Sequence, residues 1–186
     1  MVSSENVFLY FFLTLILLAA ALTDLRQRKI PNVLTFPAMG VALLYHGLNH
    51  GLNGVLFSVG GLFAGMAFLI IPYLVRGMGA GDVKLLGAAG AVLGAKGVVN
   101  AFLFTALAGG VYALFISVLS GYAPRLMGRY AGIFRDYLRT GHFVFLPADQ
   151  GEAGRKPKLC YGVAIALGTL FTMGWHLAYG ILPVPF

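Results

Sequence analysis

The chain has 186 residues, of which 59 % are hydrophobic and 10 % charged, with a mean hydropathy of +0.86. Soluble domains carry about a quarter charged residues, so this composition excludes an ordinary soluble protein and identifies an integral membrane one. The formal charge of +7 does not by itself point to nucleic acid, because where the basic residues fall matters more than their sum.

The first apolar run, Val7 to Thr23, is preceded by Glu5 and by no Lys or Arg, whereas a secretory signal begins basic. It is therefore expected to be retained as a membrane helix. Further runs follow at Val33 to Leu48, Leu52 to Val75, Gly97 to Leu119 and Leu159 to Leu182, with a shorter one at Val83 to Ala95. The short run makes only about 20 Å of helix against an apolar bilayer core of roughly 30 Å, so a re-entrant loop is its rival reading. Charge decides between them. If every run crosses once and the N-terminus lies outside, all 13 Lys and Arg except Lys96 fall on one side, which is the cytoplasmic side by the positive-inside rule. Were Val83 to Ala95 not to cross, the basic segment 120–158 would face outward.

The expected fold is therefore all-α, a single domain over residues 1–186. Six transmembrane helices, the fourth short, place both termini outside. The glycines and alanines of the fourth span, and Gly61 and Gly65 of the third, are assigned to close helix packing. Segment 120–158, between spans five and six, carries Leu126, Met127, Tyr130, Ile133, Phe134, Tyr137 and Leu138 within an arc of about 140°, with arginines opposite. It predicts an amphipathic helix lying at the cytoplasmic bilayer surface, followed by a mobile loop over 141–158.

Only 6 acidic residues are present, and two of them stand at the cytoplasmic ends of spans. Asp24 ends the first run in "AALTDLRQRKIPN", and Asp82 opens the fourth in "LVRGMGAGDVKLLGAAG". Asp82 after glycines also suits a helix N-cap. Asp24 opposes the dipole of the helix it ends, and an ionisable residue in a membrane span is a functional candidate by default. Two neighbouring carboxyls share a proton and so offer an acid and a base together: one can deprotonate a water attacking a peptide carbonyl while the other protonates the oxyanion. The glycines before Asp82 allow close approach of a substrate backbone.

Such chemistry needs no metal and no cofactor. The four histidines have no ligand spacing with one another, and the single cysteine, Cys160, excludes a disulfide framework or a multi-cysteine zinc site within this chain. A proton-coupled transporter is the alternative from another class, but its site belongs near the bilayer midplane. A non-catalytic membrane assembly subunit is a further alternative.

"GAGD", Gly79 to Asp82, matches the GxGD motif of membrane aspartyl proteases, and the following Val-Lys extends it to the form seen in type IV prepilin peptidases. "TDLRQRKIPN" resembles the first catalytic segment of that family, and "YGVAIALG", residues 161–168, resembles the opening of the last helix in its short, Tad or Flp-pilus branch. The resemblance implies an enzyme of the bacterial inner membrane that removes the basic cytoplasmic leader of prepilins or pseudopilins, cutting after Gly. It implies a catalytic pair of Asp24 and Asp82, with Gly79, Gly81, Lys84, Ile30, Pro31 and Asn32 binding substrate or supporting the pair. Its partners are the pilin substrate and the lipid bilayer, not nucleic acid. Longer members carry a cysteine-bearing N-terminal domain associated with N-methylation, so methyl transfer is not expected. Cys160 stands where the resemblance leads one to expect Pro.

Overall fold

The computed structural model describes residues 4–75, 77–119 and 160–184, and these form four helices and no strand. They are α1 (Ser4–Gln27), α2 (Asn32–Leu74), α3 (Ala80–Leu119) and α4 (Tyr161–Tyr179). All four are long and apolar enough to cross a membrane. The expected amphipathic helix and the 141–158 loop lie outside the described residues.

Helix α1 shows how an almost wholly apolar sequence still has two faces. Leu9, Leu13, Leu17, Ala20 and Asp24 recur every three or four residues and are all buried, while Phe8, Phe11, Leu15, Leu18 and Leu22 are exposed. The buried stripe packs mainly on α4 and also on α2, and the outward face carries the apolar side chains that a lipid environment accepts.

Helices α2 and α3 have 43 and 40 residues, which as straight rods would be about 60 Å long, twice the apolar core of a bilayer. Neither is straight. Gly51 interrupts α2 at φ 58°, ψ −140°, and the chain folds back there: the rings of His46 and Phe57 are 5.0 Å apart, although eleven helical residues would separate them by about 16 Å. Gly94 interrupts α3 at φ 71°, ψ 177°, another conformation open only to glycine. Gly65 abuts Leu86 and Gly87, while nearby Phe68 stacks on Phe102 at 4.6 Å, so the two arms of α3 both reach the same level of α2.

Small residues set how closely these arms approach. A side chain on Gly61 would strike the Gly90 carbonyl and one on Gly90 would strike the Gly61 carbonyl, so backbone lies directly on backbone. Ser58 Oγ donates to the Ala91 carbonyl at 2.8 Å beside them, satisfying a buried hydroxyl. Gly168 of α4 sits in the same way against Thr105 of α3. By connectivity the molecule divides into residues 1–109 with 160–186, which hold these contacts, and residues 110–159, of which 110–119 continue α3.

Candidate active site

Asp24 lies one turn before the end of α1, where the stripe that faces the bundle emerges; it is 6 % exposed. Its Oδ2 accepts the Gly162 N–H at 2.9 Å. Gly162 is the second residue of α4, so the carboxylate occupies the amide-rich N-terminus of a helix distant in sequence, a position suited to an anion. The opposing dipole of its own helix is thereby offset by that of α4. Its backbone carbonyl accepts the Arg28 N–H at 2.8 Å and closes α1, and Arg28 takes φ 54° to turn the chain toward α2.

Asp82, 8 % exposed, stands in the first turn of α3. It is not the N-cap. Gly79 precedes the helix, the Asp82 N–H donates to the Gly79 carbonyl at 3.1 Å, and the Gly79 N–H donates to Asp82 Oδ2 at 3.0 Å. This is the return arm of a capping box, with the acidic residue three positions into the helix reaching back. Among the described residues Oδ1 of each Asp makes no hydrogen bond, so each carboxyl is held by one oxygen and offers the other.

Ile30 brings the two turns together. A Cβ on Gly81 would come within 2.9 Å of Ile30 Cβ and 3.3 Å of its carbonyl oxygen, and a Cβ on Gly162 would come within 3.1 Å of Ile30 Cδ1 and 2.9 Å of Asp24 Oδ2. Ile30 is buried between them, and the two carboxyl groups lie within electrostatic reach of each other. The close approach expected for substrate at the glycine turn is occupied at Gly81 by Ile30 itself. None of Gly77, Gly79 and Gly81 has a positive φ, so the need for glycine at 81 is one of space, not of backbone conformation.

The remaining sequence-predicted residues gather at the same end. Pro31 caps α2 at φ −66°, ψ 141°, its carbonyl accepting the Leu34 N–H at 3.1 Å, and fixes the direction in which Asn32 leaves. Lys84 Nζ donates to Asn32 Oδ1 at 3.0 Å and lies 5.0 Å from the centre of the Phe36 ring. Its observed partners are thus on α2, and it ties the start of α3 to the start of α2.

Cys160, at the N-cap of α4, is buried and within electrostatic reach of both Asp24 and Asp82. Burial holds its thiol above the ordinary range and the Asp24 charge adds to this, so at neutral pH it is a thiol and a poor nucleophile. What the sequence reading missed is Gly162. Its only signal was the Tyr-Gly pair opening the last apolar run, which says nothing about an amide aimed at Asp24.

The geometry brings two carboxyls within electrostatic reach of each other at helix ends, each anchored through one oxygen. Residues 11–114, which include both Asp24 and Asp82, match the model of the type IV leader peptidase family. A stretch of 111 residues is 36 % identical to a prepilin leader peptidase/N-methyltransferase of Bacillus subtilis (strain 168), covering 57 % of this chain and 43 % of that protein. No solved structure matches the chain. On the family match across more than half its length, and on the paired aspartates within it, the chain belongs to the type IV leader peptidase family.

Proposed function

We propose that the protein is an aspartic endopeptidase that removes the basic cytoplasmic leader of a prepilin or pseudopilin, of the Flp type by the resemblance of its last helix, cutting after Gly. The observation that carries this reading is the convergence of Asp24 and Asp82, each held through Oδ2 by a backbone amide at a helix N-terminus. One carboxylate takes a proton from a water as it attacks the scissile carbonyl. The other, protonated, donates to the oxyanion, and collapse of the tetrahedral intermediate passes a proton to the leaving amine. Oxygens fixed by amides cost little reorganisation when charge moves.

The two carboxyls stand at helix ends, not midway along a helix, which favours a peptidase at one membrane face over a proton relay at midplane. The reversals at Gly51 and Gly94 support six crossings, made by α1, two arms each of α2 and α3, and α4. With six crossings, the distribution of the basic residues supports aspartates at the cytoplasmic face and both termini outside, in the bacterial inner membrane that the resemblance implies. Lys84 and Asn32 hold the two helix starts in register around the pair.

Co-expression with prepilins of the same genome, read as leader removal on a gel, tests the reading. Asp24→Asn and Asp82→Asn should each lower the cleavage rate about 10²–10⁴-fold while the protein remains folded and inserted. An Asn at 82 can still accept from Gly79, so the cap survives. Near-wild-type cleavage by either variant removes that residue from the mechanism, and absence of any leader removal by the wild type across all prepilins tried overturns the substrate class.

A further inference from the structure

Among the described residues, Arg28 is the one non-glycine with a positive φ, 54°. In that region an L side chain crowds its own backbone, which is why glycine usually fills the place just past a helix end. The chain has 26 glycines and sets none of them here, so the arginine costs stability that a glycine would keep. Such strain persists where the surrounding structure imposes it, and it directs attention to what the side chain does.

The position of the turn supplies a task. The Arg28 N–H donates to the Asp24 carbonyl at 2.8 Å, and two residues later Ile30 is buried against Gly81 and Gly162. The loop from Asp24 to Ile30 is therefore fixed at both ends by the aspartate site, and Arg28 is exposed on its rim. The guanidinium lies within electrostatic reach of the Cys160 thiol at the start of α4, itself within reach of both Asp24 and Asp82. What a peptide offers this group is limited. A basic leader brings side chains of the same sign as Arg26, Arg28 and Lys29, which gain nothing from one another. Its extended backbone does offer acceptors, because carbonyl oxygens drawn into the site need new partners, and a guanidinium presents five N–H donors in a planar fork.

We propose that Arg28 is a substrate-binding residue whose guanidinium donates to backbone carbonyl oxygens of the peptide beside the scissile bond, the left-handed turn holding it on the rim of the aspartate site. The assignment rests on the peptidase reading. Arg28→Gly and Arg28→Lys in the full chain, each measured for unfolding midpoint and for kcat and KM of leader cleavage on a purified prepilin, test it. Arg28→Gly should raise the midpoint by about 1–4 °C, because glycine accepts the positive φ. It should also raise KM about tenfold with kcat little changed, because the lost contact is made to the bound peptide before it reacts. A purely structural residue would not move stability and substrate binding in opposite directions. Arg28→Lys keeps the charge but not the fork, and should raise KM nearly as far. Wild-type KM in Arg28→Gly overturns the assignment and leaves the peptidase reading standing. Wild-type KM in Arg28→Lys alone reduces the role to charge, as a lipid phosphate at the same face would require, and overturns the carbonyl contact. A lowered midpoint in Arg28→Gly overturns the strain on which the inference is built. Failure of the wild type to cleave any prepilin overturns the peptidase reading and this assignment together.

Discussion

The Gly162 amide reaches Asp24 Oδ2 at 2.9 Å across 138 positions of sequence, so the N-terminus of the last helix is docked on the carboxyl group of the first. That contact leaves no space for a methyl group. A Cβ at position 162 would lie 2.9 Å from Asp24 Oδ2, 3.1 Å from its Cβ and 3.1 Å from Ile30 Cδ1. Gly162→Ala should therefore displace Asp24 and lengthen its one hydrogen bond. We expect leader cleavage to fall at least about tenfold, the cost of misplacing a reacting group by a fraction of an ångström, with expression and membrane insertion retained. Cleavage at the wild-type rate would show that the Gly162 amide does not position Asp24.

The two glycines of the GAGD turn should respond differently to the same substitution. A Cβ at Gly81 would press on Ile30 Cβ at 2.9 Å and on its backbone, which cannot move without moving Pro31. A Cβ at Gly79 would make only ordinary contact, 3.4 Å from Asp82 Oδ2. Overpacking of this kind costs about 1–3 kcal/mol. Gly81→Ala should lower the unfolding midpoint and cleavage together, and Gly79→Ala should leave both within about twofold of wild type, because the amide that holds Asp82 is kept. Parallel thermal melts and cleavage assays of the two variants check this, and equal damage at both positions would contradict it.

How much of this was legible beforehand depends on whether a feature is local in sequence. The apolar runs ending at Leu48 and beginning at Leu52 flank the reversal at Gly51, and those ending at Ala95 and beginning at Gly97 adjoin the one at Gly94, because the runs are bounded by the residues that make the turns. Which of the chain's 26 glycines turn was not legible, since a positive φ leaves no mark in composition. Both aspartates could be found because a carboxylate in an apolar helix is conspicuous. Ile30 was named only through the resemblance, and neither its wedge between Gly81 and Gly162 nor the amide of Gly162 leaves a local mark: one looks like any core isoleucine, and the other acts through a backbone group that every residue but proline carries. Lys84 was expected to support the pair, and in the structure it turns to Asn32, a pairing of two polar side chains 52 positions apart that no spacing rule yields.

That pairing is measurable. Lys84 Nζ and Asn32 Oδ1 are 3.0 Å apart at a position open to water, so the bond should contribute about 0.5–1.5 kcal/mol, and less where solvent competes. Lys84→Met and Asn32→Leu, singly and together in a thermal or denaturant series, should show a coupling of this size. If Lys84 acts only by holding α3 to α2, both single variants should lower cleavage by similar factors and the double variant should be little worse than either. A Lys84→Met loss far exceeding that of Asn32→Leu would instead give the ammonium a direct part in substrate binding.

The last prediction concerns which ends of the helices share a membrane face. Because α2 folds back at Gly51 and α3 at Gly94, His50 and Lys96 stand together at one end, where His46 Nε2 bonds Val92 O, while Arg28, Gly79 and Cys160 stand together at the other around the aspartates. Straight helices of 43 and 40 residues would instead carry their far ends about 60 Å from their starts, twice the apolar core of a bilayer. In a Cys160→Ser background, Cys placed at 50 and at 96 should be labelled by an impermeant maleimide added outside intact spheroplasts, and Cys placed at 28 only after permeabilisation. Basic residues clustered beside Asp24 set the sign of that expectation, since Arg26, Arg28 and Lys29 favour the cytoplasmic side. Labelling of 50 and 28 from the same side would undo the crossing of the first arm of α2. Labelling of 96 from the side of 28 would undo the crossing of the short arm Ala80–Leu93.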